Sequence, residues 1–291
     1  MLRLVLPKGS LERQTLELFE AADLGVSRSS SVQYQGSIAD PRISDVRILR
    51  PQEIPLYIAE GMFDLGITGR DWIDETNSDV VSLGELHYSK ATARPTQIVV
   101  AVANDSPYRS AADLPQGVRI STEYLGLTRR YFESLGIEAH VRLSYGATEA
   151  KVPDIADAIV ELTETGSALR AAGLRVIDTI LTSYTELIAN RESYDDPQKR
   201  HAMHHLHTLL AGSLEARGQV LLKLNVATRD LDAVVALVPA EKSPTVSKLF
   251  GDAGYALETV VPKSGINTLI PALKDAGATG ILEIPIAKIV H

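Results

Sequence analysis

Residues 154–169 have the sequence DIADAIVELTETGSAL, and this stretch decides which fold and function we expect. Its first half, from Asp154 to Leu162, places apolar residues between carboxylates and predicts a strand edge or a short helix. Its second half, from Glu164 to Ala168, is a loop of small and hydroxyl residues that precedes a helix ending at Gly173. The stretch therefore joins an acidic element to the beginning of a helix.

A loop of this kind suits a phosphate group, because it presents backbone N–H groups and the positive end of a helix dipole. Gly166 lets the backbone approach an anion, and Thr165 and Ser167 supply hydroxyl donors. The carboxylates upstream can hold sugar hydroxyls or a Mg²⁺ ion, so the pattern indicates a phosphoribosyl donor site. The alternative is an ordinary helix N-cap beside a solvated acidic face, since short motifs often match by chance.

The composition predicts a soluble, cytoplasmic protein of about two domains. The 291 residues are 45% hydrophobic, which is enough for packed cores, and carry a formal net charge of −8. Lys and Arg form no run interleaved with aromatic residues, which disfavours nucleic acid as a partner. The absence of cysteine excludes disulfides and thiolate zinc sites. The first residues lack the apolar length of a signal peptide, and no apolar run approaches the ~20 residues that span a membrane.

Residues 1–90 predict alternating strands and helices. A strand from Leu2 to Leu6 and a helix from Leu11 to Ala22 flank the loop Pro7-Lys8-Gly9-Ser10, which also suits an anion. Lys8 precedes Gly9 and no GxxxxGK[ST] motif occurs, so this is not the phosphate loop of nucleotide hydrolases. A strand at 45–49 and a helix at 51–60 follow. We therefore expect strand–helix units at the beginning of the chain.

The next segment, residues 63–72, predicts a buried strand, a glycine turn and another helix. Repeated βα units favour a largely parallel α/β sheet, in which ligands bind at the carboxyl ends of strands. Gly66 and Gly69 can therefore mark places where the backbone approaches a ligand. Two simple turns are the alternative.

Residues 91–179 predict a second α/β lobe that contains the phosphate-type loop. Its expected strands are at 97–103, 118–121, 140–143 and 174–181, with a helix at 127–135. Residues 180–216 would return to the first lobe and contain one long helix from 196 to 216. This helix carries His201, His204, His205 and His207, and the first three share a face. A metal site is one hypothesis, but no carboxylate follows at ligand spacing, so a polar interface is favoured.

Residues 217–291 predict a separate small domain. The expected strands are near 220–227, 245–250, 255–261 and 280–289, with helices at 231–238 and 266–274. This order is βαββαβ, the ferredoxin-like arrangement, and about 70 residues suffice for such a domain.

Taken together, these stretches resemble the long form of the ATP phosphoribosyltransferase family. The resemblance covers nearly the whole chain and rests on six motifs in a fixed order. They are LPKGSL at 6–11, RPQEIP at 50–55, DLGITG at 64–69, ADAIVELTETGSAL at 156–169, SPTVS at 243–247 and GATGIL at 277–282.

The resemblance implies an α/β fold with a two-lobed catalytic part like that of periplasmic binding proteins. One lobe would comprise residues 1–90 and 180–216, the other residues 91–179, and residues 217–291 would form a ferredoxin-like regulatory domain. The implied reaction moves a phosphoribosyl group from phosphoribosyl pyrophosphate to N1 of ATP and releases pyrophosphate in the presence of Mg²⁺. It is the first step of histidine biosynthesis, with histidine as feedback inhibitor and a homo-oligomer, from dimer to hexamer, as the assembly.

The resemblance also assigns site residues. The loop Glu164–Ala168 would hold the 5′-phosphate of the donor, with Asp157 and Glu161 at the ribose, and Glu161 and Lys8 would be catalytic. Five residues would line the ATP side of the cleft: Lys8, Gly9, Asp64, Gly69 and Asp71. Ser243 and Thr245 would lie at the rim of the histidine site, with an ordinary proline-containing turn as the alternative. No residue is assigned to the metal.

Two positions depart from the family pattern. Glu161 stands where Asp is common, which moves the carboxylate outward by one methylene. Ala168 stands where Thr is frequent, so the phosphate would depend more on backbone N–H groups and on the hydroxyls of Thr165 and Ser167.

Glycosyl transfer with a leaving pyrophosphate develops positive charge on the ribose, so catalysis requires alignment of the substrates and neutralisation of the leaving group. The adenine N1 is unprotonated at neutral pH, and we therefore expect no catalytic acid–base pair. A non-catalytic solute-binding protein and a phosphoribosyltransferase with another acceptor are the competing interpretations. Only the resemblance selects adenine.

Overall fold

The computed structural model describes residues 1–30, 33–88, 95–239 and 243–291. The chain divides into two compact units, Met1–His207 and Thr208–His291. The expected lobe boundary between residues 90 and 91 lies outside the described ranges. None of the helices in the described ranges is long and apolar enough to cross a membrane.

The strands in the described ranges follow one another along the chain. They are β1 Leu2–Pro7, β2 Val26–Ser27, β3 Gln35–Ile38, β4 Ile43–Leu49, β5 Leu65–Gly69, β6 Val81–Leu86, β7 Thr96–Ala103, β8 Arg119–Thr122, β9 His140–Leu143, β10 Ala158–Thr163, β11 Leu174–Ser183, β12 Thr185–Ala189, β13 Gln219–Val226, β14 Thr245–Lys248, β15 Tyr255–Pro262 and β16 Thr279–Pro285.

The α-helices in the same ranges connect these strands. They are α1 Glu12–Ala21, α2 Ile54–Ala59, α3 Arg70–Thr76, α4 Leu125–Ser134, α5 Ser167–Ala171, α6 Arg191–Asp195, α7 Pro197–Glu215, α8 Leu231–Leu237 and α9 Ile266–Asp275.

The first sheet has the strand order β2-β3-β4-β1-β5-β12-β6. Strands β4, β1 and β5 are parallel, so their carboxyl ends meet at one edge. The centre of this sheet is buried on both faces, and every residue of β5 is buried. Gly66 is required by this packing, because a Cβ there would lie 2.8 Å from a methyl group of Val5 and 3.1 Å from one of Ile54. The structure thus explains Gly66 by core packing.

The second sheet has the order β11-β7-β10-β8-β9. Strands β10, β8 and β9 are parallel, while β7 is antiparallel to both β10 and β11. A core of aliphatic residues from β7, β8 and β10 packs with Tyr124 and with Phe132 of α4. Strand β11 pairs with β7 as far as Ser183, so the predicted lobe boundary at residue 180 falls inside this strand.

The predicted return segment after residue 180 contains a strand that the sequence did not reveal. Strand β12 has the sequence TELIA and is inserted between β5 and β6, antiparallel to both. Glu186, a buried polar residue, breaks the apolar pattern of this strand. The remaining apolar run is too short for periodicity to distinguish a strand from a turn. Strands β2, β3 and β6 were missed as well.

The second unit contains the sheet β14-β15-β13-β16, in which every neighbouring pair is antiparallel. Helices α8 and α9 contribute Val234 and Leu273 to a core on one face of this sheet. The predicted ferredoxin-like order is confirmed, as is the α/β class with two sheets in the first unit. The strand expected at 245–250 ends at Lys248, and Phe250 is fully exposed.

Candidate active site

A cavity of about 100 Å³ lies in the first unit where the two sheets approach each other. Ser10, after β1, and Gly69, at the end of β5, line it from the first sheet. Leu162 of β10 lines it from the second sheet, and Ser183 lines it at the crossover between β11 and β12. The carboxyl ends of β1, β5 and β10 therefore converge on one space.

Asp71 is the buried charged group of this cavity, with 3% of its surface exposed. The hydroxyl of Ser183 donates to one carboxylate oxygen at 2.6 Å, and the hydroxyl of Tyr124 donates to the other at 2.9 Å. Burial raises the pKa of Asp71, while these two hydrogen bonds oppose the rise. Because Tyr124 belongs to the second sheet's lobe, the carboxylate ties the lobes together beside the cavity.

Gly69 lies against this carboxylate. A Cβ at Gly69 would overlap the Oδ1 atom of Asp71, so glycine is needed for Asp71 to fold back onto the beginning of α3. The sequence had indicated a ligand approach at Gly69, whereas the described contacts show a structural reason for the glycine. Trp72 stacks on Tyr124 with ring centroids 4.6 Å apart and completes this wall.

The predicted phosphate loop follows β10 directly and opens α5. Gly166 has a φ of +69°, the left-handed conformation that favours glycine. Its N–H donates to the hydroxyl of Thr163 at 2.8 Å, and the hydroxyls of Thr165 and Ser167 lie 3.0 Å apart. The exposed side chains of Thr165, Ser167 and Ala168 leave the loop accessible to solvent.

A cation that sequence reasoning missed lies at this loop. The guanidinium of Arg170 approaches Gly166 so closely that a Cβ at residue 166 would lie 2.8 Å from its Nη1 atom. The sequence signal for this contact was the four-residue spacing between Gly166 and Arg170, because residues one helical turn apart lie on the same face.

Glu161 is the fourth residue of β10, and its partly buried carboxylate is influenced by the charges of other acidic side chains. Burial raises the pKa of its carboxyl group; hydrogen bonds from Thr148 and from the N–H of Leu162 oppose the rise, and the charges of Glu123 and Glu149 add to it. The Leu162 N–H lies 3.1 Å from the carboxylate. The next residue, Leu162, lines the cavity, and a carboxylate with such neighbours is a candidate for substrate contact.

Lys8 and Gly9 lie at the carboxyl end of β1, at the edge to which β4 and β5 also point. The ammonium group of Lys8 lies 3.9 Å from the centroid of the Tyr34 ring. Gly9 has a φ of +89°, and a Cβ there would lie 3.7 Å from the Arg50 guanidinium. Arg50 follows β4 and is a second cation of this edge that the sequence did not single out.

Two predicted site residues lie elsewhere. Asp64 precedes β5 and is therefore at the opposite end of that strand from Gly69, where it accepts hydrogen bonds from Arg3, Lys199 and Ser193. Its assignment to the cleft is corrected, because its carboxylate is 1% exposed and fully used by these partners.

Asp157 precedes β10 and forms an ion pair with Arg119 at 2.6 Å. At about 3.3 Å per strand residue, it lies about 20 Å from the phosphate loop at the other end of β10. The structure does not bring it to the loop.

The histidine cluster does not form a metal site. The rings of His201 and His205 have centroids 4.0 Å apart, and His204 lies 3.1 Å from the Tyr194 hydroxyl. His207 packs against Gly84 of β6 instead. In the described ranges, no group of three His, Asp or Glu residues is arranged to hold a metal ion.

In the second unit, Ser243 and Thr245 line a cavity of about 550 Å³. Its walls include Leu221 of β13 and Val260 of β15, and the carboxylate of Glu258 lies among them. The cavity lies over the face of the sheet opposite the α8 and α9 core, since Leu221 and Val260 alternate with the buried residues of their strands. Polar and apolar groups thus surround a space large enough for an amino acid.

Comparison with known proteins agrees with this architecture. The family described as HisG: ATP phosphoribosyltransferase matches residues 50–212, and the family described as HisG, C-terminal domain matches residues 216–288. The ATP phosphoribosyltransferase of Desulforudis audaxviator is 48% identical over 291 residues and covers 99% of both chains. That of Chlorobium phaeovibrioides is 47% identical over 290 residues, which are 100% of this chain and 98% of the relative.

A solved structure, the ATP phosphoribosyl transferase (HisG:HisZ) complex from Thermotoga maritima, aligns with a TM-score of 0.61 and 26% identity. The alignment covers 72% of this chain and 98% of the other. By the family matches and by the identity to full-length relatives, this chain belongs to the ATP phosphoribosyltransferase family.

Proposed function

We propose that this chain transfers a phosphoribosyl group from phosphoribosyl pyrophosphate to N1 of ATP and releases pyrophosphate, the first step of histidine biosynthesis. The observation that carries the proposal is the convergence of the ends of β1, β5 and β10 on one cavity, in a chain of this family. Ligand sites of α/β sheets form at such ends.

The donor would bind to the second sheet's side of the cleft. The loop Glu164–Ala168 would hold the 5′-phosphate through backbone N–H groups and the hydroxyls of Thr165 and Ser167. Arg170 supports this role, because a guanidinium next to Gly166 supplies the positive charge that a phosphate needs. Glu161 would accept hydrogen bonds from the ribose hydroxyls, and Asp157 is left out of the donor site.

Pyrophosphate and ATP would face the edge formed by β1, β4 and β5. Lys8 and Arg50 supply positive charge there, and Gly9 leaves the backbone accessible. Lys8 would neutralise charge on the leaving pyrophosphate, which is the largest electrostatic demand of the reaction. Asp71 and Gly69 would shape the wall and stay hydrogen-bonded within the protein.

Mg²⁺ fits this site as an ion that arrives with the substrate. The described residues provide no three-ligand cage of their own, and Mg²⁺ in such enzymes is usually held by phosphate oxygens with few protein ligands. When bound, the ion would supply positive charge at the pyrophosphate. The residues of the chain align the two substrates, and no side chain is required as a general base.

We further propose that the second unit is a regulatory domain that binds histidine in the cavity lined by Ser243 and Thr245. The mixture of hydroxyl, carboxylate and apolar groups in this cavity suits an amino acid with an imidazole ring. Cytoplasmic location and assembly as a homo-oligomer, from dimer to hexamer, are part of the same proposal.

The test is product formation from ATP, phosphoribosyl pyrophosphate and Mg²⁺, followed by mass spectrometry with and without histidine. We expect phosphoribosyl-ATP, less of it when histidine is present, and a strong loss of rate in Lys8→Met. The exposed Lys263, in the second unit, gives the matched control Lys263→Met, which should retain the rate. A wild-type chain that binds the donor but forms no product would refute the catalytic proposal, and product formation insensitive to histidine would refute the regulatory one.

A further inference from the structure

The carboxylate of Glu75 joins the two lobes of the first unit. Glu75 belongs to α3, which follows β5 of the first sheet, and its two oxygens accept hydrogen bonds from the beginning of α4, which follows β8 of the second sheet. The N–H of Gly126 donates to one oxygen at 2.9 Å, and the N–H of Leu127 donates to the other at 2.8 Å. N–H groups in the first turn of a helix have no acceptor within the helix, so a residue of the first lobe caps a helix of the second.

The two helices also meet through their backbones. A Cβ at Gly126 would lie 2.7 Å from the carbonyl oxygen of Glu75, which is closer than van der Waals contact allows. Because that oxygen belongs to the backbone, it cannot rotate away, and glycine is required at this position. Arg130, one turn further along α4, donates to the carbonyl of Asp74. The end of α3 is therefore held against the beginning of α4 by several groups.

Buried side chains extend the same contact. Trp72 of α3 stacks on Tyr124, the residue before α4, and packs against the core of the second sheet. The hydroxyl of Tyr124 donates to Asp71, and these two residues are 2% and 3% exposed. A contact that combines helix capping, ring stacking and a buried hydrogen bond resists sliding of one lobe against the other.

This contact lies beside the cavity, since Asp71 and Trp72 line it. In the proposed function, the loop after β10 in the second lobe holds the 5′-phosphate of the donor. Lys8, after β1 in the first lobe, neutralises the pyrophosphate. One donor molecule therefore reaches from one lobe to the other. Such a ligand binds more tightly than its separate halves only when the two sites are held at the matching separation.

We propose that Glu75 is a positioning residue. By capping α4, it fixes the separation of the lobes at which a single phosphoribosyl pyrophosphate molecule reaches the phosphate loop and Lys8 together. This inference rests on the proposed binding of the two ends of the donor. Glu75 acts through the position of α4, and Gly126 leaves the room that this position requires.

The test measures three Kd values by calorimetry in the presence of Mg²⁺: for phosphoribosyl pyrophosphate, for ribose 5-phosphate and for pyrophosphate. In Glu75→Ala, the Kd for the whole donor should rise about tenfold, while the Kd for each half should stay within about twofold. Gly126→Ala should have the same effect, because its methyl group pushes α3 away from α4. Since alanine favours a helix more than glycine does, a role confined to the stability of α4 predicts no loss in this variant.

The fluorescence of Trp72 gives a second readout. Its emission should shift to longer wavelength in both variants, because the ring loses its stack on Tyr124 and meets water. Asp196→Ala is the matched control, since this carboxylate caps α7 within the first unit by accepting from the N–H groups of Gln198 and Lys199 at 2.8 and 3.2 Å. It should leave the three Kd values and the emission unchanged.

Several results would overturn the inference. They are a donor Kd within twofold of wild type in Glu75→Ala or in Gly126→Ala, an equal rise in the Kd for either half, an unshifted emission, and a comparable loss in Asp196→Ala. A wild-type chain that binds the donor but forms no product refutes the proposed reaction alone, because the three Kd values still decide the role of Glu75. A wild-type chain that does not bind the donor refutes both.

Discussion

Replacement of Asp64 by Asn should destabilise the first unit without impairing the cleft. Asp64 accepts five hydrogen bonds: from the N–H of Arg3 at 2.7 Å, from the Arg3 guanidinium twice at 3.2 Å, from Lys199 at 2.8 Å and from Ser193 at 2.7 Å. Asn keeps the size of the side chain but removes the charge and turns one acceptor into a donor. The positive charges of Arg3 and Lys199 then have no carboxylate to pair with at this position.

The magnitude follows from the exposure of these partners. Breaking a fully buried ion pair costs about 3–5 kcal/mol. The side chains of Arg3 and Lys199 are 45% and 32% exposed, so water can solvate their charges once the carboxylate is gone. We therefore expect a loss of about 2–3 kcal/mol in the free energy of unfolding.

Urea unfolding followed by the fluorescence of Trp72 is the appropriate assay, because Trp72 is the single tryptophan of the chain and lies in the first unit. The midpoint should fall by about 1 M urea. Asp79→Asn is the matched control: Asp79 pairs with Arg191 on the surface and should leave the midpoint unchanged.

The pH dependence adds a second check. The hydrogen bonds from Arg3 and Lys199 hold the pKa of Asp64 well below its usual range, despite burial. A carboxyl group with a depressed folded-state pKa stabilises the protein above its unfolded pKa of about 3.9, and this contribution is lost as the pH falls toward the folded value. The difference between wild type and Asp64→Asn should therefore shrink below pH 4. An unchanged midpoint at pH 7, or a stable variant with strongly raised KM for ATP, would refute this reasoning and return Asp64 to the cleft.

Three further substitutions test other parts of the structure. Gly166→Ala should raise KM for the donor about tenfold, because a positive φ and the adjacent guanidinium both oppose a side chain; an unchanged KM would contradict the loop's role. Tyr124→Phe leaves the buried Asp71 with one hydroxyl partner and should cost about 1–3 kcal/mol in Trp72-detected unfolding, so an unshifted curve would show that this bond is dispensable. Gly254→Ala, where a Cβ would overlap the carbonyl of Val226 at a φ of +116°, should make the second unit sensitive to limited proteolysis, and full resistance would contradict the packing.

The sequence predicted the fold class and the family because both depend on local patterns. Repeated strand–helix units and the βαββαβ tail follow from hydrophobic periodicity, and the structure confirms them. The missed strands β6 and β12 are short and contain polar residues or Gly84, so their identity depends on neighbours far along the chain. Tertiary context decides such elements.

The sequence predicted the loops of the site better than it predicted the positions of the charged residues. Gly166 and Gly9 adopt the left-handed conformation in the loops that the sequence singled out. Asp64 and Asp157 resembled cleft residues because acidic side chains beside apolar strands carry the same pattern at either end of a strand. Only the distant partners, Arg3 for Asp64 and Arg119 for Asp157, reveal their structural roles.

The position of β12 between β5 and β6 determines the order in which the two lobes can fold during synthesis on the ribosome. All strands of the second sheet precede β12, so that lobe can fold while the first sheet still lacks one of its internal strands. Until residue 189 has emerged, β5 and β6 expose unpaired backbone groups of the kind that favour aggregation. The amino-terminal lobe, although it is synthesised first, is thus the last part of its unit to be completed.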